Sequence, residues 1–134
     1  MNARVLITDD EAPSRFILKK MFQSKYVCDE AENGLELVGQ FASQLQAGNV
    51  YSLVVVDIHM PKMDGVNAIE AIRALEVIHE IPHSKQCKIL CITIEQEIRI
   101  VMNSYNSGTD GYLVKPLSKS AINKWLEEFA LPVI

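Results

Sequence analysis

Residues 51–65, Tyr51-Ser-Leu-Val-Val-Val-Asp57-Ile-His-Met-Pro61-Lys-Met-Asp-Gly65, constrain the fold of this chain more than any other stretch. Leu53 to Val56 run apolar without alternation. A strand that shows one face to water alternates, so a run with no polar step belongs to a strand buried on both faces, as in a parallel sheet. The run stops on a carboxylate, Asp57. Pro61 and the Asp64-Gly65 pair then forbid further strand and set up a loop that feeds a helix. An acid at the carboxyl end of a central parallel strand stands where open α/β sheets bind their ligands.

The flanking sequence supplies the rest of such a sheet. Arg4 to Thr8 is a β-branched run ending in Asp9-Asp10-Glu11, and Pro13 fits the first turn of a helix, where its missing N–H costs nothing. That helix is expected to turn Ser14, Ile17, Leu18 and Met21 inward and Arg15, Lys19 and Lys20 outward. Tyr26 to Ala31 reads as a second strand. Asn33-Gly-Leu-Glu36 has the form of a capping box for a helix carrying Leu37, Val38, Phe41 and Leu45 and ending near Gly48. After the Asp57 strand, Val66, Ile69, Ile72 and Leu75 mark a third helix that stops before Pro82. Lys88 to Thr93 is a fourth strand. Glu95 to Ser107 predicts a fourth helix, with Ile98, Val101, Met102 and Tyr105 on one side and Gly108 at its end. Gly111 to Pro116 reads as a fifth strand, and Ser118 caps a last helix through Trp125, Leu126 and Phe129. Five β-α alternations imply a parallel sheet with helices on both faces, and right-handed crossovers leave few topologies. A doubly wound five-stranded sheet of order 2-1-3-4-5 in one domain, residues 1–134, is the expected architecture.

Composition narrows the partners. A chain of 134 residues, 49% hydrophobic and 22% charged, is long enough for one domain with a real core. Its net charge of −4 comes without a basic stripe, which gives a nucleic-acid partner no electrostatic support. No apolar run approaches the roughly 20 residues of a membrane span, and no signal peptide precedes the first strand. The three cysteines, Cys28, Cys87 and Cys91, read as buried free thiols of a cytoplasmic protein. His79-Glu80-Ile81-Pro82-His83 matches the zinc-protease string His-Glu-x-x-His. The string needs a continuous helix, and Pro82 denies it one. Cys87 and Cys91 on an extended strand likewise offer no closed zinc site.

On this scheme the chemistry-bearing residues converge. Asp9 and Asp10 follow the first strand, Asp57 ends the third, Thr93 the fourth, and Lys115 the fifth. Strands one and three flank the topological switch point, so three carboxylates share one crevice with a hydroxyl and an ammonium beside them. Like charges about 4 Å apart repel by roughly 4 kcal/mol at an effective dielectric near 20, so such a cluster binds a cation or protonates. Few all-oxygen ligands with room for water suit Mg²⁺ (or Mn²⁺) better than Zn²⁺. Carboxylates, a metal, a lysine and a threonine form a kit for phosphoryl transfer, and one carboxylate could itself be the nucleophile.

These residues, in this order on these strand ends, resemble the receiver domain of two-component response regulators over the whole chain. The matching positions are Asp9-Asp10, Asp57 through Pro61 to Asp64-Gly65, Thr93, and Gly111-Tyr112 with Lys115-Pro116. The resemblance implies a flavodoxin-like (βα)5 fold and a regulatory, non-enzymatic role. Asp57 would accept a phosphoryl group from the phosphohistidine of a histidine kinase or histidine phosphotransfer protein. It further implies that Asp10, Asp57 and the His59 backbone carbonyl ligate Mg²⁺, that Asp9 acts through a bound water, and that Lys115 bridges to the phosphoryl oxygens. Thr93 and Tyr112 match the switch pair, Lys115-Pro116 is expected to be cis, and Pro61 and Gly65 shape the loop after Asp57. Phosphorylation is expected to repack the face made by the fourth helix, fifth strand and fifth helix, where a downstream protein would bind a monomer or weak dimer. Whether the chain is a free-standing regulator or a receiver from a hybrid histidine kinase stays open.

Ile94 departs from the small residue the pattern favours after the switch threonine, and its branched side chain is expected to narrow the mouth of the crevice. His59 and Glu95 occupy the other positions that modulate the site. The rival reading is a small Mg²⁺-dependent phosphohydrolase with an aspartyl-phosphate intermediate. Such an enzyme wants Asp-x-Asp on its first strand, whereas this chain has adjacent aspartates there and its nucleophile on the third strand.

Overall fold

In the computed structural model, which describes residues 3–58, 63, 65–99 and 108–134, both faces of the Asp57 strand are covered. Five parallel strands, β1 (Ala3–Thr8), β2 (Tyr26–Ala31), β3 (Leu53–Asp57), β4 (Lys88–Thr93) and β5 (Gly111–Val114), form one sheet in the order β2-β1-β3-β4-β5. Helices α1 (Ala12–Phe22), α2 (Gly34–Gln46), α3 (Gly65–Ile78) and a C-terminal helix (Lys119–Glu128) connect or follow them.

Every residue of β3 is buried because alternate residues enter two different cores. Val54 and Val56 join Leu6, Ile89 and Cys91 against Leu37 and Phe41 of α2 and Ile69 and Ile72 of α3. Leu53 and Val55 join Val5, Ile7, Leu90 and Ile92 against Leu18 and Phe22 of α1 and Ile122 and Leu126 of the C-terminal helix. Each fully buried side chain of this size is worth roughly 1.5–3 kcal/mol of transfer free energy, and the missing polar step in the sequence is the signature of that double burial.

Local signals act where the sequence puts them. Pro13 lies in the first turn of α1. Asn33 caps α2 by accepting from the Glu36 N–H at 2.9 Å, and Ser118 caps the C-terminal helix through Ala121 N–H at 3.1 Å. The Glu36 carboxylate closes the box one residue early, on Glu32 N–H at 3.1 Å. Gly48 adopts φ +83° past the end of α2, a left-handed conformation that suits glycine.

The inward stripe of α1 departs from expectation. Leu18 and Phe22 are its buried residues, while Ile17 is 52% exposed. Phe16, Ile17, Leu18, Met21 and Phe22 are apolar almost all round the helix, so periodicity allows two stripes, and the tertiary fit chooses the one that brings Phe22 into the core and leaves Arg15 half-buried. The His79-to-His83 string does not lie on one helix: α3 ends at Ile78, Glu80 takes φ 56°, and His83–Lys85 is a 3-10 turn. Cys87 and Cys91 are buried and Cys28 is half-buried, all three outside any disulfide. Of the fourth predicted helix, residues 100–107 lie outside the described residues, Met102 and Tyr105 among them. Among the described residues no helix is long and apolar enough to cross a membrane.

Candidate functional site

Register brings the acids together. Thr8 of β1 pairs with Val56 of β3, so the next residues, Asp9 and Asp57, leave the sheet at the same level. Asp57 continues the parity of Leu53 and Val55, and Asp9 that of Val5 and Ile7, which is the parity of the α1 side. Asp10 follows in the exposed start of the loop. Carboxylate oxygens of Asp9, Asp10 and Asp57 all lie within 4.8 Å of one another. At that separation each ionised pair repels by roughly 3–4 kcal/mol at an effective dielectric near 20.

The other two residues arrive from the far side of β3. Lys115 N–H donates to the Thr93 carbonyl at 2.8 Å, which continues the β4–β5 ladder and carries the lysine to the crevice. Its ammonium stands 3.5 Å from Asp57 Oδ2. The Thr93 hydroxyl donates to the Ile94 carbonyl at 3.1 Å. Asp10, Glu11, Asp57, Thr93, Ile94 and Lys115 line a cleft of about 300 Å³. Ile94 is 43% exposed at its rim.

The backbone around Asp57 is tightly held. Ile58 N–H donates to the Ile92 carbonyl at 3.1 Å, and Gly65 N–H to the Ile58 carbonyl at 3.1 Å. A side chain at Gly65 would place its Cβ 2.9 Å from the Asp57 carbonyl oxygen and the Ile58 Cα, so glycine lets α3 begin directly against the strand end. The Lys115–Pro116 peptide is cis. Tyr112 is half-buried on β5, its ring 6.2 Å from that of Trp125, whose indole N–H donates to the Tyr112 carbonyl at 2.7 Å. His59 and Pro61 lie outside the described residues, and Glu95 is described only in its backbone.

Asp9 is the most deeply buried of the three acids. It is 1% exposed. Oδ1 accepts the Glu11 N–H at 2.9 Å, while the buried Oδ2 has no hydrogen-bond partner among the described residues. Burial pushes its carboxyl above the ordinary value of 3.8, with the Asp57 charge adding to the rise and the Glu11 N–H opposing it. A buried acceptor without a donor, aimed among like charges, fits a hard divalent cation held by oxygen. The three carboxylates therefore suit Mg²⁺ or Mn²⁺ in donor type as well as in spacing.

Arg15 was not legible as part of this region. It lies on α1, yet its side chain is only 11% exposed and folds back over the β1–α1 loop to the Asp9 carbonyl at 2.8 Å. The signal that could have found it is the acid pair of Glu30, on β2, and Glu32, just past its end, which the fold places as ion-pair partners of the same guanidinium.

Fold and crevice together define an open parallel α/β protein with an acid-lined ligand site at its switch point. The sequence pattern of the response regulator receiver domain matches residues 5–127, and the chain belongs to that family. The chemotaxis protein CheY of Halobacterium salinarum is 31% identical over 123 residues, 91% of this chain and 92% of its own length. The transcriptional regulatory protein ResD of Bacillus subtilis is 34% identical over 116 residues, 86% of this chain but 42% of ResD. The chain thus spans less than half of that regulator. The receiver domain of the sensor histidine kinase PA1611 from Pseudomonas aeruginosa PAO1, solved with a magnesium ion in its active site cleft, shares the fold. Its TM-score is 0.76 at 22% identity, covering 96% of this chain and 98% of that one.

Proposed function

We propose that this receiver domain, residues 1–134, is a Mg²⁺-dependent phosphoacceptor that takes a phosphoryl group onto Asp57 from the phosphohistidine of a histidine kinase or phosphotransfer protein. The observation that carries the reading is the convergence of Asp9, Asp10 and Asp57 within 4.8 Å, with Lys115 3.5 Å from the Asp57 carboxylate. Asp10, Asp57 and the His59 carbonyl would hold Mg²⁺, with Asp9 acting through a water. When bound, the ion supplies charge neutralisation for the phosphoryl oxygens.

In the transfer an Asp57 carboxylate oxygen forms a bond to phosphorus as the phosphorus–nitrogen bond of the donor breaks, and the electron pair leaves with the imidazole. The Lys115 ammonium, already facing Asp57 Oδ2, follows the charge onto a phosphoryl oxygen. The Thr93 hydroxyl gives up the Ile94 carbonyl and turns to another, and the half-buried Tyr112 ring moves inward behind it. This is a population shift between two packings, and the new hydrogen bond is the differential contact that drives it. The change reaches a downstream protein through the face of the fourth helix, fifth strand and C-terminal helix. The protein works in the cytoplasm as a monomer or weak dimer, with no nucleic acid bound by this domain.

Ile94, half-exposed at the rim, slows both phosphorylation by small donors and hydrolysis of the phosphoryl-Asp by restricting access to the cleft, and His59 and Glu95 are the neighbouring modulators. Incubation with acetyl phosphate and Mg²⁺ tests the reading. One phosphoryl group per chain, detected by intact mass and absent in Asp57→Asn, is the expected result. Steady release of phosphate over many turnovers per chain would mark a phosphohydrolase instead, and no incorporation by acetyl phosphate or a phosphorylated phosphotransfer protein would end the proposal.

A further inference from the structure

We infer that Arg15 is a positioning residue of the acidic cleft, holding the Asp9 backbone so that the Asp9 and Asp10 carboxylates stand ready to share a divalent cation with Asp57. The inference rests on the phosphoacceptor reading and assigns it a residue outside the acid cluster.

Arg15 occupies a place that elementary electrostatics disfavours. It lies near the start of α1, where the helix dipole repels a cation, and its side chain is only 11% exposed. An arginine one turn into a surface helix escapes both costs by swinging into water. This one instead donates one hydrogen bond, from Nη1 to the Asp9 carbonyl at 2.8 Å, and sets the rest of its fork in ion pairs with Glu30, 3.4 Å from Nε, and Glu32, 3.6 Å from Nη2. A planar guanidinium holds several acceptors in fixed directions, which an ammonium does not.

The bond to Asp9 completes a three-point restraint on one residue. Asp9 N–H donates to the Ala31 carbonyl at 3.2 Å, its Oδ1 accepts from Glu11 N–H, and its carbonyl accepts from Arg15. With those three fixed, Asp9 Oδ2 has few directions left, and the peptide that carries Asp10 is held in place beside it. Mutually repelling carboxylates would otherwise splay apart, so a restraint on their backbone sustains the convergence.

The charge balance keeps this cation from opposing the one in the cleft. Glu30 also meets Lys19 Nζ at 3.4 Å, so Arg15 and Lys19 stand against Glu30 and Glu32, two positive charges against two negative. The group is neutral as a whole and acts on the site through geometry.

Positioning and bare electrostatics predict opposite signs. If Arg15 acted only as a charge, Arg15→Met would remove a repulsion and tighten cation binding. If it positions Asp9, the same substitution weakens binding, by about tenfold, the lower end of the usual cost of losing a residue that orients metal ligands. The measurement is a titration with MnCl₂, in which the electron paramagnetic resonance signal reports free Mn²⁺, with folding followed by circular dichroism. Arg15→Lys, which keeps the charge but not the fork, is expected to bind about threefold more weakly than the natural sequence. Arg15→Met binding as tightly as the natural sequence or more tightly overturns the assignment. Should Arg15→Met fail to fold, Arg15→Lys decides, and unchanged affinity overturns. A natural sequence that leaves the Mn²⁺ signal undiminished removes the cation site itself and the assignment with it, whereas normal binding with unaffected variants removes only the assignment.

Discussion

Asp9 and Glu76 are both carboxylates, both 1% exposed, at opposite ends of the same sheet. Glu76, near the end of α3, is fully served: it accepts from Arg73 Nη1 at 2.6 Å and from Cys87 N–H at 2.8 Å. The same guanidinium reaches Asp110 at 2.8 Å and the Gly108 carbonyl at 2.8 Å, and Asp110 in turn accepts Ile89 N–H at 2.8 Å. That network ties α3 to the starts of β4 and β5, and burial together with Glu76 holds the Cys87 thiol well above its ordinary range. Asp9 has one oxygen served and one not, and its nearest charged neighbours include two more acids. A buried acid with complete bonds is architecture, and one left short among like charges has the donor set that the proposed phosphoacceptor site calls for.

The contrast is sharpest where an arginine is removed. Arg73→Met leaves Glu76 buried without its cation, and a loss of about 3–5 kcal/mol in urea unfolding is expected. A loss below about 1 kcal/mol would show that the lower network is not the anchor its geometry describes. Asp9→Asn is expected to do the reverse, stabilising the metal-free protein by about 1 kcal/mol, because it removes a desolvated charge from a repulsive cluster. Destabilisation of that variant would break the comparison from the other side.

The pH dependence refines the same point with a smaller signal. The folded-state carboxyl of Asp9 lies above its ordinary value, so the folded protein holds the proton more tightly than the unfolded chain. The associated stability is fully present below the ordinary value of 3.8 and is lost as pH rises through the raised one. The unfolding free energy of the natural sequence, measured without metal, should therefore lose ground to that of Asp9→Asn across this window; parallel curves would contradict the shift. The smallest effect is expected at the rim. Ile94→Ala should raise both phosphorylation by acetyl phosphate and hydrolysis of the phosphoryl-Asp by about threefold, roughly 0.6 kcal/mol of barrier. Unchanged rates would remove Ile94 as a gate.

Much of this was legible before any coordinates. The unbroken apolar runs of β3 and β4 announced burial on both faces, the Asn33 and Ser118 caps fell where short polar side chains precede helices, and Pro82 ruled out the histidine pair as a zinc site. The crevice was legible for the same reason: its acids and its lysine sit at strand ends, and parallel register makes strand ends coincide. Arg15 was not legible. Its side chain reads as a surface cation on a helix with two possible apolar stripes, and only the packing of Phe22 decides which stripe turns inward. Nor was Trp125, whose indole reaches the edge of β5 because Gly111 leaves room for it.

By itself the sequence determined the element order, the doubly buried strands and the acids that end them, because periodicity and capping are properties of neighbouring residues. Only the tertiary structure decided which buried carboxylate is satisfied and which is not, and which arginine serves as anchor and which as brace. Those distinctions depend on hydrogen-bond donors arriving from elements distant in the chain, and local pattern carries no record of such arrivals.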